Sequence, residues 1–357
     1  MHLDTVFSPS AAAPALSRRQ LLLGAGMALA PLVCLPVQAG SAPYRVRRPL
    51  MGTLVDVVVE AGPTPQVQRQ VQAALDEMQR LEAVMSRFDP HSQVSRINAL
   101  AGRGTAVPVT RDLMRVLVQA QALAQRTGGR FDPALGAFTS QIDPGRGLLD
   151  AAQLRRLLPH ARPQALVLDR QRQTARLVDA QARLDLGGVA KLPILQVGVA
   201  RLQAMGLHGV MINGGGDVLA TARSDGQPWR IGIRDAAHPD RLLAMVPLRE
   251  GVVASSGDYE RYIDLGRTRL HHIIDPATGR STQGVHGVTL VGARAEQVNG
   301  LGTAAMVAGP RAAARQLAQW GVRDFVVMHA DGQVEASAGL RGGWLPPQGQ
   351  RAIRGVL

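Results

Sequence analysis

The sequence predicts an α+β fold made of mainly antiparallel strands and packed helices. Two observations support this: short valine-rich runs bounded by turn residues recur along the chain, and longer segments between them carry apolar residues at helical spacing. Many of the strand runs in the second half follow one another without a helix between them, which is typical of antiparallel pairing. Because the chain shows neither an internal repeat nor a linker, we predict one domain over residues 40–357.

Composition narrows the classes of function. The chain has 357 residues and an apolar content of 46%, which is enough to bury a full core. Its net charge of +13 is carried by arginines, which are scattered singly, and by one lysine. This distribution indicates an arginine-biased composition that attracts anionic ligands, and it argues against nucleic-acid binding.

The first 39 residues have the features of an export segment. Ser17-Arg18-Arg19-Gln20-Leu21-Leu22 is a twin-arginine pattern, an apolar run follows, and Val37-Gln38-Ala39 offers a small-residue cleavage site. We therefore predict export by the twin-arginine machinery, a periplasmic location with at most residual inner-membrane association, and a bound cofactor. Removal of this segment also removes Cys34, the sole cysteine, which excludes thiol catalysis, disulfides and cysteine-based zinc sites in the mature chain.

The first half of the mature chain is predicted to hold a strand over residues 54–60 and two amphipathic helices. Thr64-Pro65 begins the first helix, which ends near Met85, and Thr110 begins the second, which ends near Gly128. A polar loop lies between them. Over residues 138–180 the pattern is weak; we predict a turn at Asp143-Pro144-Gly145, a short helix near residues 154–158, and strands over residues 165–168 and 174–177.

The stretch from Leu184 to Lys191 carries the only lysine of the sequence and precedes the strand-rich second half. We predict that residues 184–186 end a strand, that Gly187-Gly188 makes a turn with close backbone approach, and that a helix runs from Ala190 to Gly206 with Pro193 in its first turn. A composition so rich in arginine is expected to retain lysine only where lysine is required. A glycine turn, a helix N-terminus and a compact positive charge suit a pyrophosphate. A plain strand-to-helix connection with a solvated lysine is the alternative.

The second half is predicted to be mostly strands. They cover residues 209–213, 218–220, 229–233, 242–247, 252–254, 288–291 and 325–328, with a helix over residues 295–307 and a final hairpin turned by Asp331-Gly332.

Eight motifs in sequential order resemble the periplasmic FAD:protein FMN transferases of the ApbE family. The motifs are Met51-Gly52-Thr53, residues 85–98, Phe131-Asp132-Pro133, residues 185–191, 213–217, 255–261, 271–279 and 300–309. The resemblance covers almost the whole mature chain. It implies an ApbE-like, T-fold-related α+β domain with a flavin cleft between two lobes.

The resemblance also implies a reaction. FMN would pass from FAD to a threonine hydroxyl of another protein with the help of Mg²⁺, and AMP would be released. The implied partner is an acceptor flavoprotein that presents a threonine, such as a membrane-associated respiratory subunit.

Candidate site residues follow from the same resemblance. The expected flavin-binding residues are Met51, Phe88, Asp185, Lys191 and Ile273. The expected metal ligands are a backbone carbonyl at Gly188 and the side chains of Asn299 and Thr303, which stand four apart on the predicted helix. His272 and Asp258 are both candidates for the base that removes the threonine proton.

The chain departs from the family pattern at several positions. Phe88 stands for a tyrosine, Asn299 for an aspartate, Leu192-Pro193 for Gly-Tyr, and Ile142-Asp143-Pro144 lies where a Trp-Gly-Phe contact is expected. Glu296 is predicted to restore the missing metal charge from the same helix face. Two other functions stay open: an FAD-binding protein or maturation factor without transferase activity, and an FAD pyrophosphatase.

Overall fold

A long, mainly antiparallel sheet runs through the computed structural model, which describes residues 42–143, 148–238, 240–265, 268–341 and 353–355. Within these residues the strands are β1 (Tyr44–Leu50), β2 (Thr53–Val59), β3 (Val107–Pro108), β4 (Leu166–Asp169), β5 (Thr174–Leu177), β6 (Val210–Gly214), β7 (Asp217–Ala220), β8 (Trp229–Arg234), β9 (Leu242–Leu248), β10 (Gly251–Gly257), β11 (Tyr262–Leu265), β12 (Thr268–His271), β13 (Val285–Gly292), β14 (Asp324–His329), β15 (Val334–Ala336) and β16 (Ile353–Gly355). The long sheet has the order β1-β2-β6-β7-β10-β13-β14-β15-β16, and only its last pair is parallel.

Helices connect several of the strands along the chain. In the same described ranges they are α1 (Pro65–Met85), α2 (Gln93–Ala99), α3 (Arg111–Arg126), α4 (Gly136–Thr139), α5 (Ala151–Leu157), α6 (Lys191–Ala204), α7 (Leu301–Ala308), α8 (Ala313–Gln319) and α9 (Ala338–Arg341). Side-chain caps fix the starts of the two long helices predicted first: Thr64 Oγ1 accepts from Val67 N at 3.2 Å, and Thr110 Oγ1 from Leu113 N at 3.4 Å.

Both faces of the long sheet are covered. Val57 on β2 packs into the main core with the helices, whereas its neighbour Val58 packs against Trp229 and Ile231 of β8. Side chains alternate across a strand, so the long helices α1 and α6 lie on one face, and the β8–β9 hairpin lies on the other together with Leu340 of α9. On the helix side, α6 passes so close to α1 that any side chain at Gly198 would collide with Met78.

The structure corrects two of the predicted elements. Residues 184–186 are not a strand; only Arg183 makes an isolated bridge, to Leu135, and the following residues turn directly into α6. The predicted helix over residues 295–307 is broken into a short 3-10 turn (Ala295–Gln297) and α7. Gly300 sits between them at φ 72°, a left-handed conformation that a continuous helix does not allow.

The described residues fall in one compact unit, Ser41–Leu357. None of the helices that the structure describes has the length and apolar character needed to cross a membrane. The predicted twin-arginine pattern, the cleavage site and residues 144–147 of the predicted turn lie outside the described residues.

Candidate active site

A cleft of about 450 Å³ opens on the helix side of the sheet, a volume in the usual range for small-ligand sites. It is lined by the β1–β2 turn, the loop after α1, the stretch that leads into α6, the facing ends of β7 and β10, the segment after β12, and the start of α7. The cleft therefore draws on residues 51 to 303 of the chain.

The cleft collects all of the predicted site residues except one. Its lining includes the five flavin positions, the three metal positions and one of the two candidate bases: Met51, Phe88, Asp185, Lys191, Ile273, Gly188, Asn299, Thr303 and His272. Asp258 is not among the lining residues. Motifs separated by up to 252 positions thus converge on one surface.

Met51 occupies a strained turn that a glutamate from α1 holds in place. Its φ is 56°, a left-handed value that non-glycine residues adopt rarely, and Gly52 follows at φ 67°. The Met51 N–H donates to Glu82 Oε1 at 2.8 Å. Glu82 thereby stabilises a backbone conformation that turns Met51 into the cleft wall.

Asp185 is held by three donors. Its Oδ1 accepts from Gly187 N at 2.8 Å, and its Oδ2 accepts from Thr139 Oγ1 at 2.5 Å and lies 3.0 Å from Arg87 Nε. The adjacent Leu184 is bracketed by Asn98, whose amide both donates to the Leu184 carbonyl (3.1 Å) and accepts from its N–H (2.7 Å). Side-chain hydrogen bonds from Asn98 and a backbone bond from Asp185 N to the Pro133 carbonyl (2.9 Å) therefore hold this stretch without the predicted strand.

The glycine turn before α6 makes the close approach that was predicted. A Cβ on Gly187 would lie 3.0 Å from Asp185 Oδ1, and one on Gly188 would lie 3.1 Å from the Phe131 ring. Pro193 takes the third position of α6, where a helix N–H has no partner within the helix, so it breaks no hydrogen bond.

Lys191 begins α6 and faces the largely buried carboxylate of Asp217, whose side chain is 14% exposed. Its Nζ lies 3.6 Å from Asp217 Oδ2, and Asp217 Oδ1 accepts from Ser255 N at 3.0 Å. Burial raises the pKa of Asp217, and the charge of Lys191 opposes that rise. Lys191 is consequently not the freely solvated lysine of the alternative interpretation.

The two neighbouring histidines have different surroundings. His271 is buried and uses both ring nitrogens: Nε2 lies 2.8 Å from the Thr282 carbonyl oxygen, and Nδ1 accepts from Ile273 N at 3.4 Å. His272 Nδ1 lies 3.3 Å from the Arg261 carbonyl oxygen. Because a carbonyl only accepts, Nδ1 of His272 carries the proton and Nε2 keeps a lone pair. Burial, aided by Arg261, lowers the pKa of His272 to about 3, so the ring is neutral near pH 7.

Asp258, the other candidate base, is buried and is not among the residues that line the cleft. Its Oδ2 is 2.5 Å from His286 Nδ1, its Oδ1 is 3.8 Å from Arg269, and its N–H donates to the His286 carbonyl at 3.0 Å. The structure therefore places the Asp258 carboxylate with His286 and Arg269 and brings only His272 into the cleft.

The three predicted metal positions meet, but not on one helical face. The turn at Gly300 redirects the chain, so Asn299 precedes α7 while Thr303 lies in its first turn. A Cβ on Gly188 would lie 3.7 Å from Thr303 Oγ1, and one on Gly300 would lie 3.5 Å from the Gly188 carbonyl oxygen. Asn299 Nδ2 donates to the Val189 carbonyl at 2.9 Å.

The predicted position of Glu296 on the same helix face as Asn299 is wrong. Glu296 belongs to the separate 3-10 turn, accepts from Gln196 Nε2 at 3.1 Å, and lines a second cavity of about 210 Å³, which Asn299 also lines. Within the described residues, no cluster of three or more His, Cys, Asp or Glu side chains is arranged to hold a metal ion.

Asp132, the middle residue of the Phe131-Asp132-Pro133 motif, also lines the cleft. Its side chain is buried (4% exposed), Oδ1 accepts from Ala134 N at 2.8 Å, and Oδ2 has no hydrogen-bond partner among the residues that the structure describes. Burial raises the pKa of Asp132 to about 6, against the effect of the Ala134 N–H. A buried unpaired carboxyl that faces a cleft is a candidate functional group, and its signal in the sequence was only the Phe-Asp-Pro turn.

We expect the Asp132→Asn variant to be more stable than the unaltered protein at pH 7, by about 1–2 kcal/mol. A carboxyl with a raised pKa binds its proton more tightly in the folded state, so its ionisation removes stability as pH rises from about 4 to about 6. Denaturant unfolding at pH 4 and pH 7 measures the effect. Asp240→Asn, at a side chain that is 79% exposed, is the control. A variant whose stability relative to the unaltered protein is the same at both pH values contradicts the prediction.

Comparisons with known proteins identify the family to which the chain is similar. A family model described as the ApbE family matches residues 51–326. The FAD:protein FMN transferase of Rhodobacter capsulatus is 31% identical over 333 residues, which cover 91% of this chain and 62% of that protein, less than two thirds of its length. The FAD:protein FMN transferase of Treponema pallidum (strain Nichols) is 30% identical over 336 residues, which cover 87% of this chain and 92% of that protein.

Solved structures agree with this placement. The ApbE protein of Thermotoga maritima superposes with a TM-score of 0.76 at 26% identity, covering 85% of this chain and 99% of that one. The flavin transferase ApbE of Vibrio cholerae shares the fold with a TM-score of 0.72 at 22% identity, covering 85% and 99%. The predicted ApbE family and α+β fold are confirmed. The chain belongs to the ApbE family.

Proposed function

We propose that this protein transfers FMN from FAD to a threonine hydroxyl of an acceptor flavoprotein and releases AMP. The observation that supports this most is the convergence of nine predicted site residues on one cleft. The names of the relatives support the flavin substrate. The threonine, the metal and AMP follow from the resemblance described above.

Lys191 and the N-terminus of α6 would hold the diphosphate. Lys191 lies at the first position of the helix, whose peptide dipoles favour negative charge at that end. Its partner Asp217 keeps the ammonium in the cleft before the ligand arrives. The diphosphate would add a second, stronger anion to the same lysine.

His272 would remove the proton from the threonine hydroxyl. The ring is oriented by the Arg261 carbonyl, and its Nε2 lone pair is available. Its lowered pKa makes it a weak proton acceptor, so it would take the proton only as the hydroxyl oxygen bonds to phosphorus. The hydroxyl oxygen would form a bond to the phosphorus of the FMN half as the bond from that phosphorus to the AMP oxygen breaks. AMP would leave with the electron pair, and His272 would hold the proton.

The metal positions fit Mg²⁺ only together with the diphosphate. The Gly188 carbonyl, Thr303 and Asn299 offer neutral oxygen donors, whereas protein sites for Mg²⁺ usually use one or two carboxylates plus substrate phosphates. These residues would hold the ion, and when bound it would offset the charge of the diphosphate. The metal affinity should therefore depend on FAD.

The Asn299→Asp variant is expected to need less Mg²⁺ for half-maximal transfer, by roughly tenfold, because a carboxylate replaces an amide at a hard-cation site. Glu296→Ala is the matched control and should leave the requirement unchanged, since Glu296 does not line the cleft that contains Gly188 and Thr303, although Asn299 lines both cavities. Acceptor labelling measured against Mg²⁺ concentration gives the result. Coincident curves for Asn299→Asp and the unaltered protein would remove Asn299 from the proposed metal site.

One experiment tests the function itself. The mature chain is incubated with FAD, Mg²⁺ and a threonine-bearing flavoprotein domain, and the acceptor mass and free nucleotides are measured. A mass gain of one FMN with equimolar AMP supports the proposal. AMP with free FMN and no labelling indicates a pyrophosphatase, and intact bound FAD indicates a binding protein; either result overturns it.

We also propose that the protein acts in the periplasm after twin-arginine export, where the acceptor would be a membrane-associated respiratory subunit. The supporting features are the Arg18-Arg19 pair, the short apolar run and the site at Ala39. Replacing both arginines by lysine is expected to leave uncleaved precursor in the cytoplasm. Fractionation followed by immunoblotting measures this, and normal export of the variant would contradict the prediction.

A further inference from the structure

Arg87 lies at the centre of a network that the proposed reaction does not use directly. Its guanidinium makes a two-pronged ion pair with Asp143, with Nη1–Oδ2 at 2.6 Å and Nη2–Oδ1 at 2.7 Å. Its remaining nitrogen, Nε, lies 3.0 Å from Asp185 Oδ2. One side chain thus joins the loop after α1, the end of the segment after α4, and the stretch that leads into α6.

The network is largely shielded from water. The exposed fractions of the side chains are 12% for Arg87, 17% for Asp143 and 15% for Asp185. Ion pairs in such surroundings are screened less than surface pairs. The planar fork of arginine serves both carboxylates at once, which the single ammonium of lysine cannot do with the same geometry.

The same guanidinium supports Phe88. The Arg87 Cζ lies 4.2 Å from the centre of the Phe88 ring, within the range of a cation–π contact. Phe88 nevertheless remains 61% exposed at the cleft. The ring therefore has a charged support while much of its surface stays open.

We propose that Arg87 is a positioning residue for the flavin. With Asp143 as its anchor, it fixes the Phe88 ring and the Asp185 carboxylate relative to each other, so that the flavin ring meets a preformed surface. This inference rests on the proposed function, because it takes FAD as the ligand of the cleft.

The test compares FAD binding by Arg87→Lys, Asp143→Asn and the double variant with the unaltered protein. Binding is followed by the change in flavin fluorescence, and thermal unfolding without FAD is measured separately. Arg47→Lys is the control, because Arg47 makes a comparable two-pronged pair with Asp56 that is exposed and outside the cleft lining.

Each single variant is expected to raise the Kd for FAD by about tenfold, a loss typical of one charge-assisted contact. The double variant should lose little more, because both changes break the same link. Flavin bound at saturation should fluoresce more strongly in the Arg87→Lys variant, since the Phe88 ring is no longer held against it. Arg47→Lys should bind like the unaltered protein.

Two results overturn the inference while the proposed function stands: unchanged FAD affinity and fluorescence in the Arg87→Lys variant, or additive losses in the double variant. The inference is also overturned if the weaker FAD binding of a variant is fully explained by its partial unfolding and the bound flavin shows normal fluorescence at saturating FAD. If the unaltered protein does not bind FAD, the proposed function fails and the inference fails with it.

Discussion

Replacing His272 by glutamine is expected to slow FMN transfer by on the order of 10²–10⁴-fold while FAD stays bound. Glutamine keeps a polar side chain of similar reach but cannot accept the threonine proton. Single-turnover labelling of the acceptor measures the rate, and equilibrium titration measures the binding. His271→Gln is the companion variant; because His271 is buried between Thr282 and Ile273, it should lower thermal stability more than it slows transfer by folded protein.

The pH dependence sharpens this prediction. The pKa of His272 is lowered to about 3 in the folded protein, below its ordinary value of 6.5. Its contribution to stability is therefore present above pH 6.5 and is lost as pH falls from about 6.5 toward 3. The contribution of His272 to the transfer rate should be flat between pH 5 and 8. A transfer rate in the His272→Gln variant that matches the unaltered protein would remove His272 from the mechanism.

The Lys191→Ala variant is expected to bind FAD about 10- to 150-fold more weakly, corresponding to a charge-assisted contact of roughly 1.5–3 kcal/mol. The substitution also leaves the buried Asp217 carboxylate without its cation, which should lower stability. Titration of FAD and denaturant unfolding separate the two effects.

The Asp217→Asn change, added to Lys191→Ala, provides the control for that prediction. It should recover part of the lost stability because it removes the unpaired charge, but it should not recover FAD affinity. Affinity restored in the double variant would mean that Lys191 acts on Asp217 alone and makes no contact with the diphosphate.

The sequence predicted elements best where periodicity and caps agree. The starts of α1 and α3 follow from Thr64 and Thr110, whose hydroxyl groups cap the helices as expected. The stretch before α6 was wrongly predicted as a strand because residues 184 and 186 are apolar and alternate with a polar residue. In the structure, the side chain of Asn98 and not a neighbouring strand forms the hydrogen bonds of the Leu184 backbone. The break at Gly300 was missed because glycine is compatible with a helix, and only tertiary context sets its φ.

The site residues, like the helices and strands, were predicted where the sequence pattern was sufficient and were missed where contacts between distant residues decide. The order of the motifs was sufficient to name residues that line one cleft, because the resemblance to a family implies which residues distant in sequence lie together. Periodicity could not show that Asp258 pairs with His286, that Glu296 lines a second cavity, or that Asp132 is buried with one oxygen unpaired within the described residues. Each of these depends on contacts between residues distant in sequence.

The strand order of the long sheet has a thermodynamic consequence. The cleft takes residues from the β1–β2 turn, from β7 and β10, and from the start of α7, and β6 and β7 separate β2 from β10 in the sheet. The binding surface therefore cannot persist in a partly unfolded chain that has lost either half. A ligand in the cleft is then linked to the folding of the whole unit, and at one hundred times its Kd it adds about 2.7 kcal/mol to global stability. Ligand binding and unfolding are therefore linked equilibria, so occupancy of the cleft raises the resistance of the whole unit to unfolding.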